Sequence, residues 1–380
     1  MTKTRIYVNG RFLKASVTGV QRYAYELLRT IDQLIGRDDP AVRGYEFVVL
    51  APTGDIHELG TRHIEVRQAG RFNGQLWEQI SLPLLSKDGF LVNLCNAAPL
   101  FKRKQAVTLH DAAVYSVPDT YSSAFKMWYK LMFRTLGRTS PLILTCSENS
   151  KDELIRHCGI REDKIVVIYH GKEHVLQSGS APDYPAQQGL DRPFVLAVSS
   201  RSPNKNFRSI VRAAELIGDQ GFDFVIAGGT NPKIFKSEDT ELNDNVRHVG
   251  YVEDEELRTL YDRASCFVFP SFYEGFGFPP LEAMACGCPV VVSDTASLPE
   301  VCGDAVLYCD PNSPEDIAGK IAKLMQDPEL QNQMKQKGLA QASKFSWEKC
   351  AYETLAEVKR HAIGRYAEKV VRNENRKAQA

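Results

Sequence analysis

Several features are missing from this chain of 380 residues, and each absence argues against a class of protein. Lys+Arg and Asp+Glu both number 47, so no overall positive charge favours binding to nucleic acid. The N-terminus lacks an apolar signal-like stretch, and no hydrophobic run is long enough to span a bilayer. The nine cysteines include no CxxC motif. Without a secretory signal, they are predicted to be free thiols in the reducing cytosol.

What remains is the composition of an ordinary globular protein, 43% hydrophobic and 25% charged. The length predicts two domains. Short apolar runs alternate with amphipathic segments in both halves, which predicts a parallel α/β sheet in each. We predict an N-terminal domain over residues 1–175, a linker rich in Ser, Gly, Pro and Gln over 176–192, a second domain over 193–346, and a C-terminal helix with a basic tail over 347–380.

One stretch, residues 271–290, combines several features of a ligand site. It follows an apolar strand, passes through a Gly/Pro-rich turn and enters a short helix of small residues. Glu274 lies on the predicted loop, and Glu282 lies about one turn into the helix. Gly275 and Gly277 would let backbone N–H groups approach a ligand closely. Because open α/β sheets bind ligands at the carboxyl ends of their strands, this stretch predicts a binding site.

Two further turns in the second half follow predicted strands. Arg201 and Lys205 lie on a turn that opens a helix, where their charges and the free N–H groups would stabilise an anion such as a diphosphate. A surface turn with solvated charges explains this basic pair about equally well. Gly250 would let main-chain atoms meet a flat ring, but taken alone Gly250 and Tyr251 are better explained as a simple βα turn.

The first half offers a glycine and a histidine. Gly19 begins a helix and would bring its N-terminus near a phosphate. His110 ends an apolar strand, where the imidazole would donate a hydrogen bond or act as an acid or base; a structural histidine is an equal alternative. No D-x-D pair occurs in the sequence, which disfavours a sugar-nucleotide site with a metal clamp. Four other histidines lack ligand spacing and are predicted to be structural or surface residues: His157, His170, His174 and His248.

These motifs resemble those of the retaining GT-B glycosyltransferases of family 4. The resemblance runs from about residue 5 to residue 360 and is strongest in the Glu-x7-Glu spacing within PSFYEGFGFPPLEAMA. The family's other motifs also occur in order: TGVQRYA near the N-terminus, His-Asp at 110–111, the basic pair, and Val-Gly-Tyr at 249–251. The resemblance implies two Rossmann-like, doubly wound parallel-sheet domains facing each other across a cleft. It also implies a C-terminal helix that crosses back to the N-terminal domain.

The same resemblance implies a nucleotide-sugar donor, GDP- or UDP-linked, bound mainly by the C-terminal domain, and an acceptor bound by the N-terminal domain. It implies roles for residues of both domains in holding the nucleotide. These are Arg201, Lys205 and nearby Gly19 for the diphosphate, Glu282 for the ribose, and the main chain around Gly250 and Tyr251 for the base.

For the donor sugar, the resemblance implies contacts with Glu274 and with the amides near Phe276 and Gly277. His110 would contact the sugar near the reacting carbon. The phosphate loop departs from the family pattern in one place. Many relatives have an arginine next to the lysine, whereas this chain has Asn204 there, so the arginine that reaches the phosphate is less certain.

The resemblance implies a retaining hexosyltransferase that moves a sugar to a saccharide or lipid-linked acceptor. We expect neither cofactor nor metal, because two cations and helix N-termini would stabilise the leaving diphosphate. The N-terminal TGVQR is similar to that of polysaccharide mannosyltransferases, so mannose and an O-antigen-like surface polysaccharide or glycolipid are the first expectation. Same-face attack is preferred to a covalent intermediate on Glu274. The alternatives are a nucleotide-sugar epimerase of the same fold and a non-catalytic nucleotide-sugar-binding protein.

A segment over residues 121–138 combines a cationic stripe with many aromatic side chains. Such a helix would lie on an anionic membrane, near a lipid-linked acceptor. A core-packed helix with a solvated basic edge is an equal alternative. We therefore expect a cytoplasmic protein, with peripheral contact at the inner face of the plasma membrane under the first interpretation. The stripe consists of Lys126, Lys130, Arg134 and Arg138.

Overall fold

The structure is a computed structural model that describes residues 3–199, 203–228 and 246–378, with side chains omitted at 199 and 363–378. Contacts divide the chain into two compact units. Unit 1 comprises residues 1–115, 123–171 and 347–380, and unit 2 comprises residues 116–122 and 172–346. Each unit is built on its own parallel sheet.

Unit 1 contains a seven-stranded sheet in the order β3-β2-β1-β4-β5-β6-β7. All neighbouring strands pair in parallel. Most of the strands are buried apolar runs, as expected for a sheet covered on both faces. They are β1 (Thr4–Asn9), β2 (Tyr45–Ala51), β3 (Glu65–Gln68), β4 (Phe90–Asn93), β5 (Gln105–Thr108), β6 (Leu142–Thr145) and β7 (Ile165–Val167).

The helices of unit 1 follow the apolar periodicity of the sequence. The first, α1 (Gly19–Gly36), begins at a capping box formed by Thr18 and Gln21 and buries Tyr23 and Leu27. The segment around Pro83 is made of α2 (Gly74–Leu76), a π-helical turn (Trp77–Ser81) and α3 (Leu82–Leu85). The remaining helices of this part of the chain are α4 (Ala113–Ser116), α5 (Ser123–Thr139) and α6 (Glu148–Cys158).

Unit 2 repeats this winding with six strands in the order β10-β9-β8-β11-β12-β13, again all parallel. The strands are β8 (Phe194–Ser199), β9 (Asp223–Gly228), β10 (Val246–Gly250), β11 (Cys266–Phe269), β12 (Val290–Ser293) and β13 (Leu307–Cys309). The helices are α7 (Glu173–Gln177), α8 (Tyr184–Gln187), α9 (Phe207–Ile217), α10 (Asp254–Arg263), α11 (Phe278–Ala285), α12 (Leu298–Cys302), α13 (Pro314–Gln326) and α14 (Pro328–Ala342). A hydrophobic core cluster of unit 2 lies between its sheet and the two helices α9 and α13.

The chain then returns to unit 1 through α15 (Trp347–Ala378), which is a single helix. This helix packs against α1 and contacts β6. Trp347 and Leu355 are almost fully buried there.

The structure differs from the predicted linker over residues 176–192. Contacts assign these residues to unit 2, and they carry the last two residues of α7 and all of α8. The segment is tied to α10, because the backbone N–H of Ala181 donates to the Thr259 hydroxyl over 2.9 Å. Helices of four or five residues are stabilised by such tertiary contacts rather than by their own periodicity, so their sequence carries little helical signal.

Both sheets reverse their winding at one point, between β1 and β4 in unit 1 and between β8 and β11 in unit 2. In doubly wound sheets, the loops that follow the two strands at such a reversal frame a crevice at the carboxyl edge. The residues after β8 and β11, and those after β1 and β4, are therefore the places where this fold is expected to bind ligands.

Candidate active site

The reversal point of unit 2 brings together two predicted site residues. Lys205 ends a 3-10 turn (Pro203–Lys205) that follows β8, and Glu274 lies on the loop that follows β11. The Lys205 Nζ atom is 2.7 Å from Glu274 Oε1, with side-chain exposures of 17% and 11%. The groups predicted for the diphosphate and the donor sugar thus form a direct ion pair that is partly shielded from water.

The loop that carries Glu274 is held in place by hydrogen bonds to its neighbours. The Ser271 hydroxyl donates to Glu274 Oε1 over 2.5 Å, and the Ser297 hydroxyl donates to the Glu274 carbonyl over 2.9 Å. Asn204, the departure from the family pattern, donates from its amide to the Tyr273 carbonyl over 3.0 Å. The main-chain carbonyl of Asn204 accepts a hydrogen bond of 2.8 Å from the Phe272 N–H. Asn204 therefore joins the lysine turn to the glutamate loop.

The next residues start α11. Gly277 precedes that helix with φ +100°, a conformation that L side chains rarely adopt. A Cβ atom at this position would also lie 2.7 Å from Leu298 Cδ2, so glycine is required twice over. The Phe276 side chain is buried and packs edge-on against Phe278 and Phe345, so only its main chain is available for the predicted donor contact.

Glu282 lies on α11 in a separate polar site. Its Oε1 atom is 2.8 Å from His174 Nε2, and its Oε2 atom accepts a hydrogen bond of 3.1 Å from the Tyr261 hydroxyl. Because a carboxylate only accepts hydrogen bonds, Nε2 carries the proton in this pair. Burial raises the pKa of Tyr261 well above its usual value, and the nearby Glu282 charge raises it further. Glu282 and Glu274 have different partners and do not form an acid/base pair with a shared proton.

Residues 250–251 lie at the end of the edge strand β10. Gly250 has φ +75°, and no atom of the described residues, its two chain neighbours aside, lies within 4 Å of where its Cβ would be. Tyr251 is 73% exposed.

The predicted phosphate residue Arg201 lies outside the described residues, so its position stays a prediction.

In unit 1, Gly19 is the first residue of α1, as predicted. His110 follows β5 but is buried, with its Nε2 atom 2.9 Å from the Leu94 carbonyl. Burial lowers the pKa of His110 to about 4, so the imidazole is neutral near pH 7. Since the carbonyl requires a proton on Nε2, the Nδ1 atom can only accept a hydrogen bond. The predicted contact of His110 with the donor sugar stays a prediction.

His110 also belongs to a group of three potential metal ligands in the described part of the chain. The donor atoms of His110, Cys146 and His170 lie within 4.8 Å of one another, and all three residues are buried. The Cys146 thiol donates to the His110 carbonyl over 2.9 Å, and the rings of His110 and His170 both pack against Tyr23. We assign the group to polar packing in the core of unit 1. None of the donor-site residues of unit 2 is part of it.

Sequence reasoning missed several residues that hold this site together. His174 was assigned to a structural or surface role, yet it contacts Glu282 across 108 residues of sequence. Tyr261, Ser271 and Ser297 were not singled out, and no local pattern identifies them. Ser271 had one usable signal, since it lies three residues before Glu274 in the same loop.

Two doubly wound parallel sheets, one in each unit, define the fold class as GT-B. Likeness to solved structures supports the fold. A sucrose-phosphate synthase from Thermosynechococcus elongatus has a TM-score of 0.71 at 19% identity, over 98% of this chain and 100% of that one. Anabaena Alr3699/HepE, solved with UDP and glucose, has a TM-score of 0.71 at 18% identity, over 93% and 100%. The predicted fold class is confirmed.

Sequence comparisons then identify the family. The model of Glycosyltransferase Family 4 matches residues 17–174, and that of Glycosyl transferases group 1 matches residues 182–341. The O-antigen chain mannosyltransferase B of Escherichia coli is 33% identical over 66% of this chain and 69% of its own length. This chain belongs to the family 4, group 1 glycosyltransferases, as the resemblance implied.

No described helix is long and apolar enough to cross a membrane.

Proposed function

We propose that the protein is a retaining, metal-independent hexosyltransferase that transfers mannose from a nucleotide diphosphate to a saccharide or lipid-linked acceptor. The observation that carries the proposal is the Lys205–Glu274 pair at the reversal point of unit 2. It places a fixed cation beside a fixed carboxylate, which suits a ligand with a charged diphosphate and a hydroxylated sugar. The E. coli relative is named as an O-antigen chain mannosyltransferase, which favours mannose and a surface polysaccharide.

In the proposed reaction, the bond between the sugar carbon and the diphosphate oxygen breaks, and the acceptor oxygen bonds to the same face of that carbon. The acceptor proton passes to an oxygen of the leaving diphosphate. Lys205 stabilises the negative charge that develops on that group. The Glu274 Oε1 atom accepts from Lys205 and Ser271, and we assign Glu274 to positioning the sugar hydroxyls rather than to attack on the reacting carbon.

The remaining groups act on the nucleotide. Glu282 would accept hydrogen bonds from the ribose hydroxyls, and its orientation is fixed by His174 and Tyr261. The open space at Gly250 would admit the base against the main chain. Guanine is the first expectation for the base, because mannose is the expected sugar, and uracil is the second.

A donor screen tests this proposal. GDP-mannose, UDP-glucose and related donors would be compared by thermal shift and by nucleotide release, with and without EDTA. The expected result is stabilisation by GDP-mannose that survives chelation, together with an α-linked product by NMR. A β-linked product, loss of turnover with EDTA, or preference for a sugar other than mannose would each contradict a stated part of the proposal. Interconversion of nucleotide sugars without transfer would instead identify an epimerase.

We further propose that α5 makes peripheral contact with an anionic membrane. Its inner face is buried through Met132, Phe133 and Leu136, while Met127 and Leu131 are 72% and 55% exposed. The basic stripe is only partly available. The Lys130 ammonium lies 4.7 Å from the centre of the Tyr115 ring, and the Arg134 guanidinium lies 5.9 Å from it. Lys126 is half-buried, and Arg138 is exposed.

Liposome flotation tests this contact. A variant with Lys126, Lys130 and Arg134 reversed to glutamate should bind vesicles of anionic phospholipid more weakly, because each basic residue near such a surface contributes about 1 kcal/mol. The matched control reverses two exposed lysines of α14 in unit 2, Lys335 and Lys337. Equal flotation of the α5 variant and the unchanged protein would contradict the contact.

A further inference from the structure

Two side chains that the proposed function assigns to different parts of the donor are bonded to each other. The Lys205 ammonium, assigned to the diphosphate, donates over 2.7 Å to Oε1 of Glu274, which is assigned to the sugar. The two side chains are only 17% and 11% exposed, so water screens their attraction less than it would at the surface. A diphosphate that binds Lys205 must therefore share the ammonium with the carboxylate or draw it away.

Glu274 supplies the negative charge that balances this lysine. In the part of the chain that the structure describes, it is the one carboxylate that forms an ion pair with Lys205. The ammonium also lies 5.0 Å from the centre of the Phe269 ring, and an aromatic face attracts a cation without neutralising it. Removal of the Glu274 charge would thus leave a shielded cation without its counter-charge, and an anion that pairs with this cation would bind more tightly.

The Glu274 carboxylate is held beside the lysine by neighbouring hydroxyl groups. Ser271, which is fully buried, donates to Glu274 Oε1 over 2.5 Å. The Ser297 hydroxyl donates to the Glu274 carbonyl over 2.9 Å, and the Thr295 hydroxyl donates to the Ser271 carbonyl over 2.9 Å. Because both the carboxylate and its loop are fixed in this way, the negative charge stays close to any group that binds Lys205.

Two ligands of the proposed reaction carry a diphosphate, and they differ at its terminal phosphate. In the nucleotide sugar, this phosphate is esterified, and the attached sugar offers hydroxyl groups that can donate to a carboxylate. In the free nucleoside diphosphate, the terminal phosphate has a second ionisation with a pKa of about 6, so it carries up to one more negative charge near pH 7. It offers the carboxylate no sugar hydroxyl in exchange for the lysine.

We propose that Glu274 makes this site discriminate the nucleotide sugar from the free nucleoside diphosphate, by competing with the phosphate for Lys205. When the nucleotide sugar binds, hydroxyl hydrogen bonds to Glu274 offset the weakened contact with the lysine. When the nucleoside diphosphate binds, nothing offsets that loss, so the product is held less tightly. The proposal rests on the proposed transferase function, because the two ligands are the donor and the product of that reaction.

Calorimetry with GDP and GDP-mannose, and with UDP and UDP-glucose, tests the proposal. Glu274→Gln keeps the size of the side chain and removes its charge. The free diphosphate should bind this variant about tenfold more tightly, whereas the nucleotide sugar should bind no more tightly. Tighter binding is a gain that a misfolded variant would not show. An unchanged or weaker affinity for both GDP and UDP in Glu274→Gln would overturn the proposal.

The matched control removes the same charge from another ion pair of unit 2. Glu215 accepts from Arg212 over 2.7 Å on α9, the same distance as in the Lys205–Glu274 pair. Glu215→Gln should leave the affinity for GDP and UDP unchanged. Equal tightening in Glu215→Gln and Glu274→Gln would show an effect of overall charge and would overturn the proposal.

A double variant separates competition for the lysine from simple repulsion of the phosphate by the carboxylate. If Glu274 acts by occupying Lys205, then Glu274→Gln should give no gain in GDP or UDP affinity in a protein that already carries Lys205→Met. A tenfold gain in that background would mean that the carboxylate repels the phosphate directly, and competition for Lys205 would be wrong.

Inorganic pyrophosphate separates this proposal from the proposed function, because it has neither base nor sugar. It should bind Glu274→Gln about tenfold more tightly than the unchanged protein. Turnover of a nucleotide sugar together with equal pyrophosphate affinity in the two proteins would overturn the competition and leave the proposed function standing. A protein that turns over no nucleotide sugar would contradict the proposed function, and the pyrophosphate comparison would still decide whether Glu274 competes for Lys205.

Discussion

The reversal points of the two sheets have the same topology and different chemistry. In unit 2, the loops after β8 and β11 meet through Lys205 and Glu274, a pair that keeps 17% and 11% of its side-chain surface exposed. In unit 1, the corresponding loops lie beside Arg11 and Glu78, and the Glu78 side chain is only 1% exposed. The same winding therefore supports one accessible charged site and one deeply buried polar site.

The difference follows from where the polar groups are anchored. The unit 2 pair sits on loops, so its charges remain close to water and are suited to a charged ligand. The unit 1 carboxylate is tied to the sheet by Asn9 and Asn93, and burial raises the pKa of Glu78. A carboxylate fixed and desolvated in this way depends on its hydrogen bonds to neighbouring residues for its stability. Function in this fold thus depends on the residues placed at each reversal point, not on the winding itself.

The largest predicted effect tests the charged site. Glu274→Ala and Lys205→Ala should each lower the transfer rate by a factor on the order of 10²–10³, because each removes a group held beside the reacting centre. The measurement is kcat with the donor found in the screen. Near-normal turnover in either variant would show that the charged site of unit 2 is not catalytic.

The controls for this prediction come from an ion pair of similar length elsewhere in unit 2. Arg212 and Glu215 on α9 form a pair of 2.7 Å with side-chain exposures of 59% and 24%. Arg212→Ala and Glu215→Ala should leave kcat unchanged. Circular dichroism should show an unchanged fold in all four variants.

The elements of the unit 2 site that are contiguous in sequence are also the ones that the sequence predicts well. The strand, loop and helix around Glu274 and Glu282 lie within one stretch, and its apolar runs and glycines predict them. The β-strands follow in the same way, because buried parallel strands are continuous apolar runs. The resemblance assigns Lys205 to the diphosphate and Glu274 to the sugar, so both are expected near the donor, but their direct ion pair was not predicted.

The parts that depend on long-range contacts could not be predicted. Glu78 sits in a segment whose pattern indicates only an amphipathic helix, and neither the π-helical turn nor the contact with Asn9 leaves a local signal. His174 meets Glu282 from a five-residue helix that overlaps the predicted linker only in its last two residues, and the sequence assigned His174 to a structural or surface role. His110 was placed on the correct strand end, but the direction of its side chain depends on packing against Tyr23 and His170.

The second prediction concerns pH and unit 1. Because the pKa of His110 is lowered to about 4 by burial, the unfolded chain binds a proton that the folded chain does not as pH falls below about 6.5. The neutral imidazole therefore contributes stability that is fully present above that pH and is lost between about pH 6.5 and about pH 4. The loss should reach about 2–3 kcal/mol at about pH 4.5. Denaturant unfolding at several pH values measures it.

His110→Gln separates this histidine from the other groups that titrate in the same range. The amide keeps a donor for the Leu94 carbonyl but does not titrate. The variant should be less stable at neutral pH, and its stability should fall less steeply on acidification. Parallel pH dependences for the variant and the unchanged protein would show that another group dominates.

The third prediction concerns the second carboxylate of unit 2. Glu282→Gln should weaken binding of the nucleoside diphosphate by about tenfold, because a charged acceptor for the ribose hydroxyls becomes a neutral one. His174→Ala should have a smaller effect, since it removes only the orienting hydrogen bond. Calorimetry on both single variants and the double variant gives the coupling between the two residues. Additive losses would mean that His174 does not act through Glu282.

The smallest predicted effect uses two glycines with matched backbones, one in each unit. Gly44 and Gly250 have φ of +81° and +75°, and among the described residues, chain neighbours aside, no atom lies within 4 Å of the position that either Cβ would take. Gly44→Ala and Gly250→Ala should therefore cost similar stability, about 1 kcal/mol, from the left-handed backbone alone. If the base of the donor lies against the main chain at Gly250, the added methyl group occupies part of its space. Nucleotide affinity should then fall severalfold in Gly250→Ala and stay unchanged in Gly44→Ala, whereas equal affinities would place the base elsewhere in unit 2.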